Sequence, residues 1–217
     1  MRHLIRASAV LAVLLLVGCA AGPTTMYDYT KLKDENPLSI LVLPPLNESL
    51  DVNASYSFLS QVTYPLAESG YYVFPVAMVN DLFRHNGLTE PGEIQGVAPE
   101  KLREIFAADA VVYLKITEYG TSYKVLNSDT RVSAEARLVS LKTGEELWRG
   151  AASASTAEQQ NNSNNLVAML VIALIDQVAN TINNKGHEIA GVTSLRLLHA
   201  GGANRLLHGP RSDYRAH

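Results

Sequence analysis

The sequence predicts an α/β domain, with a mixed sheet of about four or five strands and helices packed on it. Two observations support this fold class. Short apolar runs rich in β-branched residues alternate along the chain with segments in which apolar residues recur every three or four positions. In addition, apolar and polar residues alternate strictly from Thr130 to Leu141, which is the pattern of a half-exposed antiparallel strand.

The first half of the domain is predicted from apolar runs that end at proline or glycine. Strands are expected where a run stops at proline, which cannot donate to a ladder: residues 38–43 and 71–74. Helices are expected where apolar residues recur at three- and four-residue spacing: residues 56–69, residues 76–85 and a segment opened by Pro99. Pro65 lies inside the first of these helices and is expected to kink or break it. Residues 89–97 are predicted to form a loop.

The second half is predicted to contain three strands and a long helix. The strands are expected over residues 111–117, 130–141 and 147–156, with a tight turn at Gly144 between the last two. The strongest helical pattern runs from Leu166 to Ile182. Its apolar run of about 10 residues is too short for a membrane span, so a core helix is predicted. Residues 157–165 are predicted to be a mobile, low-complexity segment, and residues 192–198 either a strand or a helix.

Cys19 is the only cysteine among the 217 residues, and it ends the run Leu16-Val17-Gly18-Cys19. A basic start and an apolar stretch over residues 7–17 precede it, which is the order of a secretory signal peptide. The four residues resemble the bacterial lipobox, which implies cleavage before the cysteine and acylation of it. A membrane span fits less well, since residues 4–17 would form a helix of about 21 Å against a hydrocarbon core of about 30 Å. A secretory signal with an incidental cysteine is the other alternative.

These features divide the chain into a lipoprotein signal peptide (1–18), a lipidated flexible tether (19–36), an α/β periplasmic domain (37–198) and a C-terminal tail (199–217). Acyl chains on Cys19 would hold the protein at the lipid bilayer. Ala20 follows the cysteine, where an aspartate is associated with retention in the inner membrane. The predicted location is therefore the outer membrane, facing the periplasm. Tyr27 and Tyr29 either dock on the domain or the bilayer interface, or belong to an ordinary linker.

The charge balance excludes one class of partner. The formal net charge is −3, and loss of Arg2 and Arg6 with the signal would make it −5. A nucleic-acid-binding domain would instead carry a basic patch or a high isoelectric point, so no nucleic acid is expected as a partner.

No catalytic, cofactor-binding or metal-binding constellation is found in the sequence, and no cofactor is predicted. The chain contains no glycine-rich phosphate loop, no nucleophile elbow and no zinc-binding spacing. His199 and His208 could meet in space, but scattered histidines near a terminus are mostly surface residues. The carboxylates of Glu48, Asp51 and Asp81 could also lie near one another, yet loop carboxylates are common and no acid/base pair is assigned to them.

Five motifs, taken in order, resemble a known family: Leu41-Val42-Leu43-Pro44-Pro45, residues 70–75 (Gly-Tyr-Tyr-Val-Phe-Pro), residues 108–113 (Ala-Asp-Ala-Val-Val-Tyr), residues 138–148, and Leu206-Leu207-His208-Gly209-Pro210-Arg211. The chain resembles the amino-terminal α/β domain of TolB and the periplasmic domain of the curli-secretion lipoproteins. It is most similar to a neisserial-type lipoprotein family of unknown function, over residues 19–217. Ser140 stands where the hairpin motif often has an aspartate, so a role of that acid does not transfer.

The resemblance implies an accessory role in envelope assembly or transport, with no catalytic residue to transfer. The first hypothesis is therefore a non-enzymatic outer-membrane lipoprotein that binds other envelope proteins, as an adaptor in envelope assembly or curli-like secretion. The alternatives are a small-ligand or peptidoglycan-binding lipoprotein and an unrecognised hydrolase. Self-association as a homo-oligomer, through the sheet edge or the helix over residues 166–182, is a further expectation. Gly209-Pro210-Arg211 is either a docking tail or an ordinary loop.

Overall fold

The computed structural model describes residues 27–123, 128–161, 185–202 and 204–215. The helices and strands follow one another in this order: α1 (Thr30–Glu35), β1 (Ser39–Val42), β2 (Leu46–Asn47), α2 (Ala54–Leu59), α3 (Thr63–Glu68), β3 (Tyr72–Val73), α4 (Val76–His85), α5 (Pro91–Gln95), α6 (Pro99–Phe106), β4 (Ala110–Tyr123), β5 (Ser128–Ser140), β6 (Glu146–Ser155), α7 (Thr156–Asn161), α8 (Lys185–Leu198) and a final 3-10 turn (Asp213–Arg215).

The strands form one mixed sheet, which confirms the predicted fold class. Its order is β3-β1-β4-β5-β6, and β2 pairs separately with β4. The strands β1, β2, β3 and β4 pair in parallel, whereas β4, β5 and β6 pair in antiparallel fashion. Six strands are described, rather than about the four or five expected. The additional strand, β2, is only two residues long and is too short to give a periodic pattern.

The two faces of the sheet are covered unequally. On one face, α1, α2, α3 and α8 pack over β1, β4, β5 and β6 to form the larger core. On the other face, α4, α5 and α6 pack over a smaller core that reaches only β1, β4 and the end of β5. The far part of this second face, on β5 and β6, is therefore exposed and carries charged side chains: Arg131, Glu135, Arg137 and Arg149.

Several helices differ from the prediction in detail. The predicted helix over residues 56–69 is two helices, α2 and α3, and Pro65 lies in the first turn of α3, where a missing N–H costs little. The predicted loop over residues 89–97 contains α5, because Pro91 starts a turn of helix that buries Ile94. Residues 156–161 are helical, and residues 192–198 belong to α8.

The predicted helix over residues 166–182 lies outside the described residues. Among the helices that the structure describes, none has the length and apolar character needed to cross a bilayer.

The Ser140 side chain stabilises the turn of the β5–β6 hairpin. Its hydroxyl accepts hydrogen bonds from the N–H groups of Lys142 (3.1 Å) and Thr143 (3.0 Å), and it donates to Glu35 Oε1 at 3.1 Å. Gly144 adopts φ +73°, as the predicted turn requires. A serine hydroxyl therefore caps this turn at the position where the related hairpins often carry an aspartate.

Two predicted segment boundaries are wrong within the described residues. The flexible tether predicted over residues 19–36 is ordered from Tyr27 onward, and α1 buries Leu32, which is 1% exposed, in the larger core. The tail predicted over residues 199–217 is not a separate segment either, because Leu206 is buried in the same core. The signal peptide and Cys19 lie outside the described residues, so lipid attachment at Cys19 stays a prediction.

Candidate functional site

A groove runs along the outer edge of β6, the last strand of the sheet, and we call it the edge groove. It has a volume of about 650 Å³. Its lining comes from β6, from the end of α8, from the loop that follows α8 and from the first described residue: Tyr27, Trp148, Arg149, Gly150, Ala151, Ala152, Ser153, Arg196, Leu197, Asn204 and Arg205. Three stretches that are distant in sequence, residue 27, residues 148–153 and residues 196–205, therefore meet at one edge of the sheet.

Trp148 forms the buried wall of the edge groove, and it can do so because residue 150 is glycine. The indole is 1% exposed and lies over Gly150, where an added Cβ would be only 2.5 Å from Cζ2. The indole Nε1–H donates to the carbonyl oxygen of Asn204 at 3.4 Å. Trp148 thus joins the edge strand to the loop after α8.

The backbone of β6 turns hydrogen-bonding groups toward the edge groove at alternate residues. The Arg149 N–H lies beside the Tyr27 hydroxyl, and the Ser153 carbonyl accepts a bond of 2.7 Å from Arg196 Nη1. Because backbone groups of residues two apart point to the same side of a strand, Ala151 also turns its N–H and C=O outward. The edge is therefore capped at Arg149 and at Ser153, with Ala151 open between the two caps.

The amino-terminal residues of the described chain are clamped to this site. The Tyr27 N–H donates to Asn204 Oδ1 at 2.8 Å, and the Tyr29 hydroxyl donates to the carbonyl oxygen of Arg205. The two tyrosine rings lie 5.1 Å apart. Burial, and then the nearby Glu146 carboxylate, raise the pKa of Tyr27, and burial also raises the pKa of Tyr29, so both hydroxyls keep their protons at neutral pH. The docking alternative for Tyr27 and Tyr29 is confirmed, and their contact is with the domain.

The charged side chains that line the edge groove are all cationic. They include three arginines, Arg149, Arg196 and Arg205, and no aspartate or glutamate. Acids just outside the lining compensate two of them, since Glu146 pairs with Arg149 and Glu158 pairs with Arg196 at 2.7 Å. In the described part of the chain, the Arg205 guanidinium forms no ion pair. The groove therefore presents one uncompensated cation.

A second polar cluster, which sequence reasoning missed, joins α2, β4 and α8. The Ser57 Oγ lies 2.9 Å from His187 Nδ1, and the Tyr119 hydroxyl donates to Ser57 Oγ at 2.7 Å. The Gln61 Nε2 lies 2.6 Å from His187 Nε2. Burial raises the pKa of Tyr119, which keeps it a donor. No local spacing predicts this cluster, because its four residues come from three separate segments of the chain.

The cluster holds the start of α8 against the domain. Both ring nitrogens of His187 have hydrogen-bonding neighbours, so the imidazole is fixed between Ser57 and Gln61. Gly186 permits this approach, because an added Cβ would lie 2.8 Å from the Tyr119 ring. We interpret the arrangement as a structural lock rather than a nucleophile with its base.

Replacing His187 by alanine is expected to lower the free energy of unfolding by about 1–3 kcal/mol, because Ser57 and Gln61 would each lose a partner in a part-buried site. Urea unfolding measures this loss. His85→Ala is the control, since His85 is exposed and the change is expected to cost no more than about 0.5 kcal/mol. Covalent labelling of Ser57 by a serine-directed fluorophosphonate would contradict the structural interpretation and favour the hydrolase.

The remaining residues considered from the sequence do not come together as a site. His199 Nδ1 bonds to the neighbouring Ala200 carbonyl, whereas His208 bonds to Ser212 and stacks on Tyr214. Within the described ranges, no group of three or more His, Cys, Asp or Glu side chains is placed to hold a metal ion. The three carboxylates considered as an acid/base pair have separate positions and partners. Glu48 pairs with Lys115, Asp51 caps a loop turn, and Asp81 lies on α4.

The Gly209-Pro210-Arg211 motif docks on the corner between α3 and β3. The N–H of Gly209 donates to the Ser69 carbonyl at 2.7 Å, and the N–H of Arg211 donates to the Gly70 carbonyl at 3.1 Å. An added Cβ on Gly209 would lie 2.5 Å from the Gly70 carbonyl oxygen, so only glycine allows this approach. The docking alternative for this motif is confirmed, with the chain's own domain as the partner.

Comparison with known proteins gives consistent matches. The family described as "Putative lipoprotein GNA1162-like" matches residues 27–211, from the clamped tyrosine to the docked arginine. A Neisseria meningitidis serogroup B protein, "Putative lipoprotein NMB1124/NMB1162", is 48% identical over 201 residues, covering 92% of this chain and 93% of that protein. The crystal structure of lipoprotein GNA1162 from Neisseria meningitidis shares 52% identity and a TM-score of 0.55, covering 67% of this chain and 100% of that chain.

Proposed function

Because the chain belongs to the GNA1162-like lipoprotein family, we propose that it is a non-enzymatic lipoprotein of the outer membrane that binds other envelope proteins. In this proposal Cys19 carries the lipid, the domain faces the periplasm, and the protein is an accessory or adaptor in envelope assembly or curli-like secretion. The names of its relatives support the lipoprotein character, and the lipobox supports Cys19 as the attachment residue.

The observation that carries the adaptor proposal is the clamp of Tyr27 and Tyr29 beside the edge groove. Eight residue steps separate Cys19 from Tyr27, and an extended chain spans at most about 3.6 Å per residue, or about 29 Å in all. A lipid on Cys19 would therefore hold the open sheet edge close to the bilayer surface. This arrangement suits a domain that contacts other membrane-associated proteins.

Replacing Cys19 by serine is expected to abolish incorporation of radiolabelled palmitate and to release the protein from the membrane fraction, since two or three acyl chains are needed for stable anchoring. Labelling followed by fractionation of the envelope measures both effects. Ala20→Asp is expected to move the labelled protein to the inner membrane, and Ala20→Ser is the matched control. Palmitate labelling of the Cys19→Ser variant would contradict the assignment.

Partner binding is tested by crosslinking in cells and mass spectrometry, with wild type compared with Cys19→Ala. We expect envelope proteins to be crosslinked to the wild type. A partner lost in the variant requires placement at the membrane, whereas a partner retained needs only the domain. Repeated failure to recover any envelope protein would overturn the adaptor proposal.

The edge groove also supports a second candidate function, that of a small-ligand or peptidoglycan-binding lipoprotein. Its volume of about 650 Å³ falls within the range of about 300–1,000 Å³ found for ligand pockets. Retention of the purified protein on peptidoglycan sacculi, abolished by Arg205→Glu, would favour this function over the adaptor.

A further inference from the structure

We propose that the edge groove binds an extended, acidic peptide segment of an envelope partner, which adds as a short strand alongside β6 between the caps at Arg149 and Ser153. The inference rests on the proposed adaptor function and names the site and the chemistry of its partner. Strand addition supplies affinity through main-chain hydrogen bonds, and neighbouring side chains supply selectivity.

The backbone between the two caps is a short template for pairing. Four groups point outward without a partner in the described residues: the Arg149 carbonyl, the N–H and carbonyl of Ala151, and the Ser153 N–H. At the two ends, the Tyr27 hydroxyl lies beside the Arg149 N–H, and Arg196 donates to the Ser153 carbonyl. From Arg149 to Ser153 the strand rises about 13 Å, at about 3.3 Å per residue. This length accommodates about three residues of an added strand and stops the pairing from extending.

The shape of the groove leaves room for a peptide backbone. Gly150, Ala151, Ala152 and Ser153 have small side chains, while Trp148 stays in the buried wall. Leu197 of α8 and the loop at Asn204 and Arg205 form the opposite side. An added strand would therefore lie in a concave slot with side chains on both sides of it.

Charge complementarity favours an acidic occupant. The three lining arginines carry positive charge, the lining has no carboxylate, and Arg205 has no ion pair in the described residues. A second copy of this chain would bring its own Arg205, which has no ion pair in the described residues, to the same edge, where like charges oppose pairing. A flat membrane surface could reach the arginines but supplies no extended peptide backbone to pair with Ala151.

The test measures fluorescence anisotropy of a labelled peptide, Glu-Val-Glu-Val-Glu, titrated with the full lipoprotein in detergent micelles. Controls are Lys-Val-Lys-Val-Lys and a backbone N-methylated form of the acidic peptide. We expect binding of the acidic peptide alone, and a loss of about tenfold or more in affinity for Arg205→Glu. Arg103→Glu, on α6 at the opposite face of the sheet, is the matched charge control and is expected to leave binding unchanged.

The Ala151→Pro variant tests the contribution of backbone pairing to peptide binding without changing the charge of the groove. Proline removes the outward N–H at a position on an edge strand where the fold tolerates it, and circular dichroism checks that the fold is kept. We expect this variant to lose acidic-peptide binding while Arg205 is still present. Equal binding by Ala151→Pro, or by the N-methylated peptide, would overturn strand addition.

Two further measurements distinguish a lipid headgroup and a second copy of the chain from an acidic peptide. Competition by phosphatidylglycerol vesicles that depends on Arg205 and not on Ala151 would indicate a lipid headgroup site and overturn the proposal. Sedimentation that shows a dimer dispersed by Ala151→Pro, without peptide binding, would indicate a second copy. If crosslinked envelope partners are recovered in cells while the peptide does not bind, the adaptor function stands and this inference fails.

Discussion

Replacing Trp148 by alanine is expected to lower the free energy of unfolding by about 3–5 kcal/mol, the range typical of a large aromatic residue removed from a core. The indole is 1% exposed, packs in the larger core and is the only tryptophan of the chain. Its loss would also remove the hydrogen bond to the Asn204 carbonyl, which helps to hold the loop after α8. Urea unfolding followed by circular dichroism measures the change.

The neighbouring glycine provides an internal control for this prediction. Gly150→Ala alone is expected to cost about 1–3 kcal/mol, because its Cβ would meet the Trp148 ring at 2.5 Å. In the Trp148→Ala background the same change is expected to be neutral or stabilising, since the new methyl group enters the space left by the ring. Strict additivity of the two changes would contradict the placement of the indole over Gly150. Trp148→Phe, which keeps an aromatic ring, is expected to cost less than the alanine variant.

Within the described residues, the sequence predicted elements that have strong periodicity. The helix over residues 76–85 matches α4, and the alternating pattern from Thr130 matches β5 to within two residues. Patterns of this kind work because burial of one face repeats with a fixed period. The short elements β2 and α5 were missed because two to five residues do not complete enough periods to reveal a buried face.

The candidate site was beyond sequence reasoning for a different reason. The edge groove depends on which strand ends the sheet, and that order follows from tertiary pairing rather than from the pattern within β6. Tyr27 reaches β6 across more than a hundred residues of sequence, so its role as a cap has no local signal. The docking of Tyr27 and of Gly209 could be named from sequence only as alternatives, because each depends on the shape of a distant surface.

Lipid attachment, unlike the edge groove, is predicted from local sequence alone. The order of a basic start, an apolar stretch and Leu16-Val17-Gly18-Cys19 is local, so the sequence carries the whole prediction, and the described residues begin only at Tyr27. What the structure changes is the length of the link to the domain. The predicted tether reached residue 36, whereas the clamp at Tyr27 leaves residues 20–26 between Cys19 and the edge groove. The open sheet edge is therefore expected closer to the membrane than the sequence alone indicated.

Replacing Gly209 by alanine is expected to undock the carboxyl-terminal segment and to lower the free energy of unfolding by about 1–3 kcal/mol. The new Cβ would lie 2.5 Å from the carbonyl oxygen and 2.7 Å from the carbonyl carbon of Gly70, both of which belong to the backbone and cannot rotate away. Undocking would break the bonds from the N–H groups of Gly209 and Arg211 and weaken the burial of Leu206. Urea unfolding gives the energy, and hydrogen exchange at the Gly209 and Arg211 amides reports the undocking.

Gly92→Ala is the matched control, because no atom lies within 4 Å of its added Cβ and the residue sits in helix α5. Alanine is a better helix former than glycine by about 1 kcal/mol, so this variant is expected to be neutral or more stable. The two alanine substitutions are thus expected to have opposite signs. Exchange at Arg211 that is equally slow in Gly209→Ala and in the wild type would show that the segment tolerates the methyl group, and that the close approach to Gly70 does not hold it in place.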